Sequence, residues 1–357
     1  MREKILNTYN RIKIENGIPR INPMDAPISV TYELTLVCPN SCLFCYQGEM
    51  KENKHPPFSL VCAILNEFRK TEVLFITFLG GEPLGYPKWQ ETLEMAKRMG
   101  FYTSFVTNGE LMTEETGKKM FNSVDNGMVS IHGNEKIHDS ITNKQGSYKN
   151  AVKCLKIMSE IGFKTGIYFT ATRYNYSELL DTVKILVDIH GIELSIVAVN
   201  RFMPRGRGAI VNPDFSLELM NYFELFRQMA ELEDRYQIPT TLDVSYPLCQ
   251  TEQRFRKYIA PCNIGFSHIG IDPLGNAKIC PVMPNKLGNI VENSLIEIWK
   301  NSILLNYYRS LDWLPALCKQ CSLLEKCLGG CIACNKSSDI QPDILCPVND
   351  SYLTDSK

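Results

Sequence analysis

The chain has no marked excess of one charge and no long apolar run. Its 38 basic and 39 acidic residues give a formal net charge of −1, so no overall basic field for nucleic acid is present. No apolar run approaches the ~18 residues that a membrane-spanning helix needs. The N-terminus is charged and lacks the apolar stretch of a signal peptide. These absences predict a cytoplasmic protein with no nucleic-acid partner and no membrane partner.

Histidine is scarce in this chain, whereas cysteine is abundant. The 5 histidines form no metal-ligand spacing, but there are 14 cysteines. In a reducing compartment, thiols serve as metal ligands more often than as disulfides. The apolar content of 44% is enough for a sizeable core. The cysteines therefore direct the search for function to metal chemistry.

The first group of cysteines follows a predicted strand. Residues 30–37 alternate in polarity, which predicts a β-strand. Cys38, Cys42 and Cys45 come directly after it in a C-x3-C-x2-C spacing. Thiolates this close together suit zinc or an iron–sulfur cluster. Four ligands close such a site, so three predict either an iron–sulfur cluster with one open iron or half of a zinc site completed elsewhere.

Strand-like and helix-like segments alternate along the first part of the chain. The strands are predicted near residues 30–37, 73–79, 102–106, 128–131, 165–170 and 193–199. The helices are predicted near residues 59–69, 88–99, 113–121, 147–161 and 178–189. Six such units predict an α/β fold with a parallel sheet, either doubly wound or closed as a barrel. Function then gathers at the carboxyl ends of the strands.

The alternation stops near residue 203. A loop over 205–208, a long amphipathic helix over 217–236 and an extended segment over 238–246 are predicted next. The cysteine-rich remainder has too little regular structure for a large core, so its folding is expected to depend on bound metal. We therefore expect a lead-in over residues 1–27, a barrel domain over 28–236 and a metal-dependent domain over 237–357.

Two motifs at the first strand ends resemble those of the radical SAM superfamily. Cys38, Cys42 and Cys45, with Phe44, resemble its C-x3-C-x-aromatic-C signature. The second motif resembles the one that binds the methionine amino group of S-adenosylmethionine (SAM), and it consists of Gly80, Gly81, Glu82 and Pro83. The resemblance implies that SAM chelates the open iron of a [4Fe–4S] cluster.

The next two strand ends continue the resemblance. Asn108 lies in the turn that follows the third strand, and Ser130 matches the ribose contact of the fourth. His132 stands where the family usually has Asp, while the pair His138-Asp139 follows as it commonly does. Asn108 and Ser130 are therefore expected to bind the cofactor.

The C-terminal cysteines resemble the seven-cysteine pattern of the SPASM extension. The pattern reads Cys262-x12-Gly275-x4-Cys280, Cys318-x2-Cys321-x5-Cys327-x3-Cys331 and then Cys346. The resemblance implies two auxiliary [4Fe–4S] clusters, and so three clusters in all. The outer one would be held by Cys318, Cys321, Cys327 and Cys346. The inner one would be held by Cys262, Cys280 and Cys331, with Cys249 favoured as the fourth ligand and Cys334 or an open iron as the alternatives.

The resemblance also implies a fold and an activity. The fold would be a partial (β/α)6 barrel of the TIM type followed by a small cysteine-rich domain. Such enzymes reductively cleave SAM to a 5′-deoxyadenosyl radical that abstracts hydrogen from a substrate. Those with this extension most often mature ribosomal peptides by thioether or carbon–carbon crosslinks, epimerisation or oxidation. A peptide substrate and a flavodoxin- or ferredoxin-type reductant are therefore expected.

Two other functions compete with peptide maturation. One is oxidative decarboxylation of a small-molecule or tetrapyrrole side chain. The other is a non-catalytic electron carrier, although such a protein has no need of the Gly80-Gly81 motif that binds SAM. Sulfatase-maturating relatives carry Asp after the cysteine that matches Cys280, whereas Pro281 stands here. From the short lead-in, no N-terminal leader-peptide-binding domain is expected.

The remaining residues of interest are expected to have structural rather than catalytic roles. Three arginines are expected in a solvated loop, namely Arg201, Arg205 and Arg207. Tyr32 and Glu33 are expected to make structural hydrogen bonds rather than to line a substrate pocket. Cys62 and Cys154 lie on apolar helical faces and are expected in the core. No catalytic residue is assigned from the sequence.

Overall fold

A computed structural model describes residues 12–15, 18–21, 23–47, 55–211 and 215–347. Two short strands, β1 (Ile12–Glu15) and β2 (Ile18–Ile21), pair antiparallel with each other. The other strands are β3 (Ser29–Thr35), β4 (Phe75–Gly80), β5 (Tyr102–Thr107), β6 (Asn126–Ser130), β7 (Thr165–Ala171), β8 (Val197–Arg201), β9 (Thr240–Leu242), β10 (His268–Ile271), β11 (Asn276–Lys278) and β12 (Lys286–Asn289).

Helices connect the strands and extend the C-terminal part. Those before β9 are α1 (Phe58–Lys70), α2 (Trp89–Arg98), α3 (Glu114–Phe121), α4 (Glu135–Thr142), α5 (Ser147–Glu160), α6 (Leu179–Lys184), α7 (Gly206–Val211) and α8 (Leu219–Tyr236). Those after β12 are α9 (Leu295–Asn301), α10 (Ile303–Ser310), α11 (Ala316–Lys319) and α12 (Leu324–Cys327). A wider, π-helical turn (Ile185–Ile189) continues α6.

Ten strands form the main sheet in the order β12-β11-β10-β3-β4-β5-β6-β7-β8-β9. The pairs from β3 to β9 are all parallel. The six predicted strands of the barrel domain correspond to β3 through β8, so the predicted parallel α/β fold is confirmed. The extended segment predicted over 238–246 contains β9, which pairs with β8.

The sheet continues into the cysteine-rich part of the chain. Strand β10 pairs with β3 in parallel, with His268 opposite Ser29 and Ile271 opposite Tyr32. Strands β11 and β12 then add antiparallel pairs. Because main-chain hydrogen bonds join β9 and β10 to the barrel strands, the expected division at residue 236 crosses a continuous sheet. The domain boundaries stay predictions.

Two helices of the barrel part were not expected from the sequence. The loop predicted over 205–208 is wrong, because α7 begins at Gly206. Helix α4 begins after Asn134, whose side-chain oxygen accepts a hydrogen bond from the Ile137 N–H at 3.2 Å. An asparagine in this position satisfies one of the free N–H groups of the first turn.

Alternation along the strands separates a helix-facing side from a cavity-facing side. On β3, Val30, Tyr32 and Leu34 are each at most 1% exposed and belong to the core under the helices. The ring of Tyr32 lies 5.9 Å from that of Phe68 on α1. Burial of such apolar surface is the main favourable term in folding. In the part of the chain that the structure describes, no helix is long and apolar enough to cross a membrane.

Candidate active site

A cavity of about 580 Å³ occupies the interior of the sheet. Side chains of seven strands line it, including Thr31, Thr77, Ser104, Met128, Tyr168, Asn200 and His268. A flat sheet cannot bring so many strands to one cavity, so this sheet curves around it as a partial barrel. The predicted barrel-like fold is therefore confirmed.

The three cysteines of the first motif lie on the wall of this cavity. Burial raises the pKa of Cys38 to about 11. Burial, followed by the neighbouring thiols Cys45 and Cys38, raises the pKa of Cys42 still further. Thiols that are so hard to ionise become thiolates beside a metal cation. The donor set therefore fits the iron–sulfur cluster that the motif predicts.

Two helices hold this cysteine loop in place. The Leu43 N–H donates to the Ile141 carbonyl at the end of α4 at 2.9 Å. The Gly208 N–H of α7 donates to the Cys45 carbonyl at 3.0 Å. The Arg207 guanidinium donates to the Cys42 carbonyl at 3.2 Å. The loop is thus fixed through its backbone, which leaves its thiols available as ligands.

The turn after β4 packs directly against the strand that leads into the cysteine loop. The Gly81 N–H donates to the Thr35 carbonyl at 2.6 Å. A methyl group at Gly81 would lie 2.2 Å from the Val37 carbonyl oxygen, so only glycine fits. Gly80 and Gly81 both line the cavity, as expected of residues that contact a cofactor.

Glu82 lies behind this turn rather than on the cavity wall. It is fully buried, and neither it nor Pro83 is among the described residues that line the cavity. Its carboxylate accepts hydrogen bonds from the Thr107 hydroxyl at 2.7 Å and the Asn108 N–H at 2.8 Å. Burial raises the pKa of Glu82 to about 7. The carboxylate therefore holds the turn after β5, and Asn108 in turn donates to the Cys38 sulfur at 3.4 Å.

His132 forms an uncharged part of the cavity wall. Burial lowers its pKa well below the usual value, and its Nδ1 accepts a hydrogen bond from the Thr170 N–H at 3.1 Å. Phe44 packs edge-on against it, with ring centres 4.8 Å apart. Phe44, Ser130 and His132 all line the cavity. Asp139 instead accepts hydrogen bonds from the N–H groups that begin α5.

Four C-terminal cysteines form what we call the inner group: Cys262, Cys280, Cys331 and Cys334. The first three line the same cavity as the cysteine loop. Burial, followed by the nearby Cys331, raises the pKa of Cys262 to about 11 and that of Cys280 to about 12. Cys334 donates a hydrogen bond to Cys331. Four adjacent thiols match the ligand set of one cluster.

The remaining C-terminal cysteines form the outer group: Cys249, Cys318, Cys321, Cys327 and Cys346. Cys249 and Cys318 each make a side-chain hydrogen bond with Cys346, and Cys327 lies near all three. The Cys321 N–H donates to the Cys318 carbonyl at 3.1 Å, which keeps these two in one turn. Cys249 was expected beside Cys262. The structure corrects this expectation, because Cys249 lies with the outer group.

All 14 cysteines are free of disulfides. Among the described residues, no group of three or more His, Cys, Asp or Glu side chains is arranged to bind a single metal ion. The ligand assignments therefore depend on the chemistry and grouping of the thiols.

Sequence reasoning missed the acidic residue of the cavity. Asp243 directly follows β9 and is the one carboxylate among the described residues that line the cavity. It accepts a hydrogen bond from the Tyr168 hydroxyl at 3.0 Å, and burial raises its pKa. Its place just after a strand end is the signal that would have found it, although β9 is only 3 residues long.

The predicted solvated loop of arginines is also wrong. Arg201 is 1% exposed and pairs with Asp343. Arg205 donates to the Lys336 carbonyl at 2.7 Å and to the Ser337 carbonyl. By contrast, the structural hydrogen bonds expected of Glu33 are confirmed, since it accepts from the Tyr46 hydroxyl at 2.9 Å. The core position of Cys154 is confirmed as well, because it is fully buried.

A curved parallel sheet with free thiols at its strand ends defines a partial-barrel enzyme with iron–sulfur cofactors. The profile of the Radical SAM superfamily matches residues 32–186, and that of an iron–sulfur cluster-binding domain, SPASM, matches residues 262–322. The chain therefore contains a radical SAM domain over residues 32–186 and a SPASM domain over residues 262–322. It is an enzyme that uses SAM and iron–sulfur clusters.

Named relatives share most of the chain. Mycofactocin maturase MftC of Mycobacterium ulcerans (strain Agy99) is 27% identical over 331 residues, which cover 89% of this chain and 87% of that protein. PqqA peptide cyclase of Rhizobium meliloti (strain 1021) is 24% identical, over 88% of this chain and 84% of that protein. The crystal structure of Streptococcus suis SuiB bound to precursor peptide SuiA superposes with a TM-score of 0.75 at 18% identity, covering 91% of this chain and 77% of that one.

Proposed function

We propose that this protein uses SAM and iron–sulfur clusters to modify a ribosomally made peptide. The observation that carries the proposal is the shared cavity, which Cys38, Cys42 and Cys45 line together with three cysteines of the inner group. A substrate between them would face the radical source and an auxiliary cluster at once. The maturase and cyclase names of the relatives support a peptide as that substrate.

The SAM-binding end of the cavity is assigned to residues at the strand ends. Gly80 and Gly81 offer backbone groups at the point of closest approach, while Asn108, Ser130 and Phe44 line the adjoining wall. Glu82 and Pro83 support this end from behind. When SAM and a reduced cluster are bound, they supply a 5′-deoxyadenosyl radical that abstracts hydrogen. The protein orients these groups and excludes water.

Three [4Fe–4S] clusters are proposed in all. Cys38, Cys42 and Cys45 would hold the one that binds SAM. The inner group would hold the second through four thiols, with Cys334 rather than Cys249 as the fourth. The third would be held by Cys318, Cys321, Cys327 and Cys346, which leaves Cys249 as an extra thiol beside it.

The opposite end of the cavity would receive the substrate. The cavity of about 580 Å³ would be shared between SAM and the part of the substrate that enters it. Among the described residues, only the Tyr168 hydroxyl donates to the Asp243 Oδ2, so this carboxylate can accept a proton or a further hydrogen bond there. The reaction would be a thioether or carbon–carbon crosslink, an epimerisation or an oxidation.

The proposal includes a flavodoxin- or ferredoxin-type protein as the electron donor. It also places the enzyme in the cytoplasm. Reducing conditions there keep metal-binding thiols out of disulfides.

The experiment uses enzyme reconstituted anaerobically, which should bind about twelve irons per chain. It is incubated with SAM, a reductant and each short peptide encoded in the neighbouring reading frames. Mass spectrometry should show one peptide changing mass while 5′-deoxyadenosine forms in parallel.

The matched negative control is the Cys42→Ala variant with the same peptides. If no neighbouring peptide changes mass but a tetrapyrrole or other small molecule does, the peptide proposal fails and the chemistry of the barrel stands. Zinc without visible absorption would overturn the cluster assignments themselves.

A further inference from the structure

A buried ion pair joins the barrel to the cysteine-rich domain. Arg201 ends β8, and Asp343 lies 142 positions later, yet the Arg201 Nη1 to Asp343 Oδ2 distance is 2.5 Å and the Nη2 to Oδ1 distance is 3.1 Å. Both side chains are at most 1% exposed. A two-bond contact between a planar guanidinium and a carboxylate fixes relative orientation as well as distance.

The arginine makes further contacts with α8 and with the segment that follows β9. Its Nε donates to the Tyr222 hydroxyl at 2.9 Å, and its Nη1 donates to the Ser245 carbonyl at 2.6 Å. Its guanidinium carbon lies 5.2 Å from the ring centre of Tyr222 and 5.0 Å from that of Tyr246. These contacts leave the guanidinium little freedom to move.

The aspartate reaches both groups of C-terminal cysteines. Its Oδ2 accepts a hydrogen bond from the Cys331 N–H at 3.0 Å. Its own carbonyl accepts from the Cys346 N–H at 2.8 Å. The loop before Cys331 wraps tightly around it, because a methyl group at Gly330 would lie 2.6 Å from the Asp343 Cβ.

The charges of the pair lie beside the inner group. The Asp343 carboxylate joins the Arg201 guanidinium to the Cys331 N–H, so both charges lie close to any cluster that Cys331 would hold. Reduction adds negative charge to a cluster, so a nearby cation raises its reduction potential and a nearby anion lowers it.

We propose that the Arg201–Asp343 pair is a positioning device that fixes the Cys331 loop against the barrel, and that its two charges shift the reduction potential of the cluster held by the inner group in opposite directions. Asp343 does not line the cavity, and the proposed role of Arg201, which does, requires no contact with the substrate. The inference requires the inner group to be a cluster site, but it does not depend on the identity of the substrate. Failure to find a peptide would therefore leave its test intact.

The test uses reconstituted full-length enzyme and two substitutions that remove opposite charges. Arg201→Gln is expected to lower the potential of one auxiliary cluster, and Asp343→Asn is expected to raise it. Potentiometric titration followed by low-temperature electron paramagnetic resonance measures both shifts. Shifts in the same direction, or no shift in either variant, would overturn the electrostatic part of the proposal.

Two further variants keep the test decisive if folding is disturbed. Arg201→Lys retains the charge without the planar contact, so it should restore the potential towards the wild-type value even where the thermal midpoint falls. Lys257→Gln is the matched control, since Lys257 also makes an ion pair between the two predicted domains, with Glu233 of α8 at 2.7 Å, but at the surface. Its inner-cluster potential should not change.

Loss of a cluster is also informative. If Arg201→Gln loses iron, selective loss of the inner-group signal supports the positioning role. Equal loss of all cluster signals would show that the pair serves general folding, which would overturn the proposal.

Discussion

The cysteine loop of the barrel and the cysteines of the SPASM domain are built in different ways. Cys38, Cys42 and Cys45 come from eight consecutive residues at the end of one strand. The inner and outer groups gather thiols from segments between residues 249 and 346. The first group has three thiols and the inner group has four, so in the proposed assignment only the first would leave an iron open to SAM. Local spacing therefore specifies the SAM site, whereas the auxiliary sites depend on tertiary structure.

The two regions are also held in place by different kinds of contact. Backbone hydrogen bonds from α4 and α7 hold the barrel loop. The inner group is tied to the barrel through the side chains of Arg201 and Asp343. Single side-chain changes should therefore disturb the SPASM region through its buried charges, and the barrel loop through its ligands and its tight backbone contacts.

The largest effect is expected from Cys42→Ala. With only two thiols left, the open-iron cluster would lose its attachment, so 5′-deoxyadenosine formation should be abolished. Iron content should fall by about four atoms per chain. Chromatography of the nucleoside products and iron analysis measure the two effects.

The control for this prediction is Cys62→Ala, which removes a half-buried thiol on α1, outside the cysteine groups. It should retain both iron and cleavage. Persistent cleavage in Cys42→Ala would show that the barrel loop has been assigned wrongly.

Cys334→Ser and Cys249→Ser separate the inner group from the outer group. Cys334→Ser should weaken or remove one auxiliary-cluster signal, because Cys334 lies against Cys331. Cys249→Ser should keep all three, because four other thiols remain in its group. Electron paramagnetic resonance and iron content distinguish them. The reverse result would restore Cys249 as the inner ligand.

Gly81→Ala should disturb the SAM site without removing a ligand. Its methyl group would overlap the Val37 carbonyl and displace the start of the cysteine loop. We expect SAM binding weaker by about tenfold and a stability loss of about 1–3 kcal/mol. In Gly85→Ala the nearest atoms would lie at 3.7 Å or beyond, so this control should behave as wild type. Equilibrium binding of SAM compares the two variants.

The smallest effect concerns Glu82 and pH. Burial raises the pKa of Glu82 to about 7, whereas an unfolded chain releases this proton near ~4.3. The folded state binds more protons between these values, so this group's contribution to stability falls as pH rises through the window. Between about pH 6 and about pH 8 the loss is about 1.4 kcal/mol.

Glu82→Gln cannot titrate and should lack this loss. Denaturant unfolding of both proteins at the two pH values measures the difference. Equal pH dependence in the two proteins would show that the buried carboxylate does not titrate in this range.

The fold was largely predictable because local patterns specify it. Six strands follow from alternation and from the Gly and Asn turns at their ends, and α5 (147–160) lies within one residue of its predicted limits. The missed features depend on contacts between distant residues. Arg201 resembles a loop arginine until Asp343 is brought beside it. Cys249 is 13 positions from Cys262, but the fold carries it to Cys346.

The parallel pairing of β10 with β3 has a consequence for building chimeric enzymes. The SAM-site loop follows directly from β3, and β3 has a SPASM-domain strand as one of its two neighbours. A graft of a foreign SPASM domain would therefore have to reproduce the alignment of His268 with Ser29 and of Ile271 with Tyr32. A graft that slips by one residue would turn His268 away from the barrel interior. A working chimera would therefore have to exchange the whole curved sheet and not the SPASM domain alone.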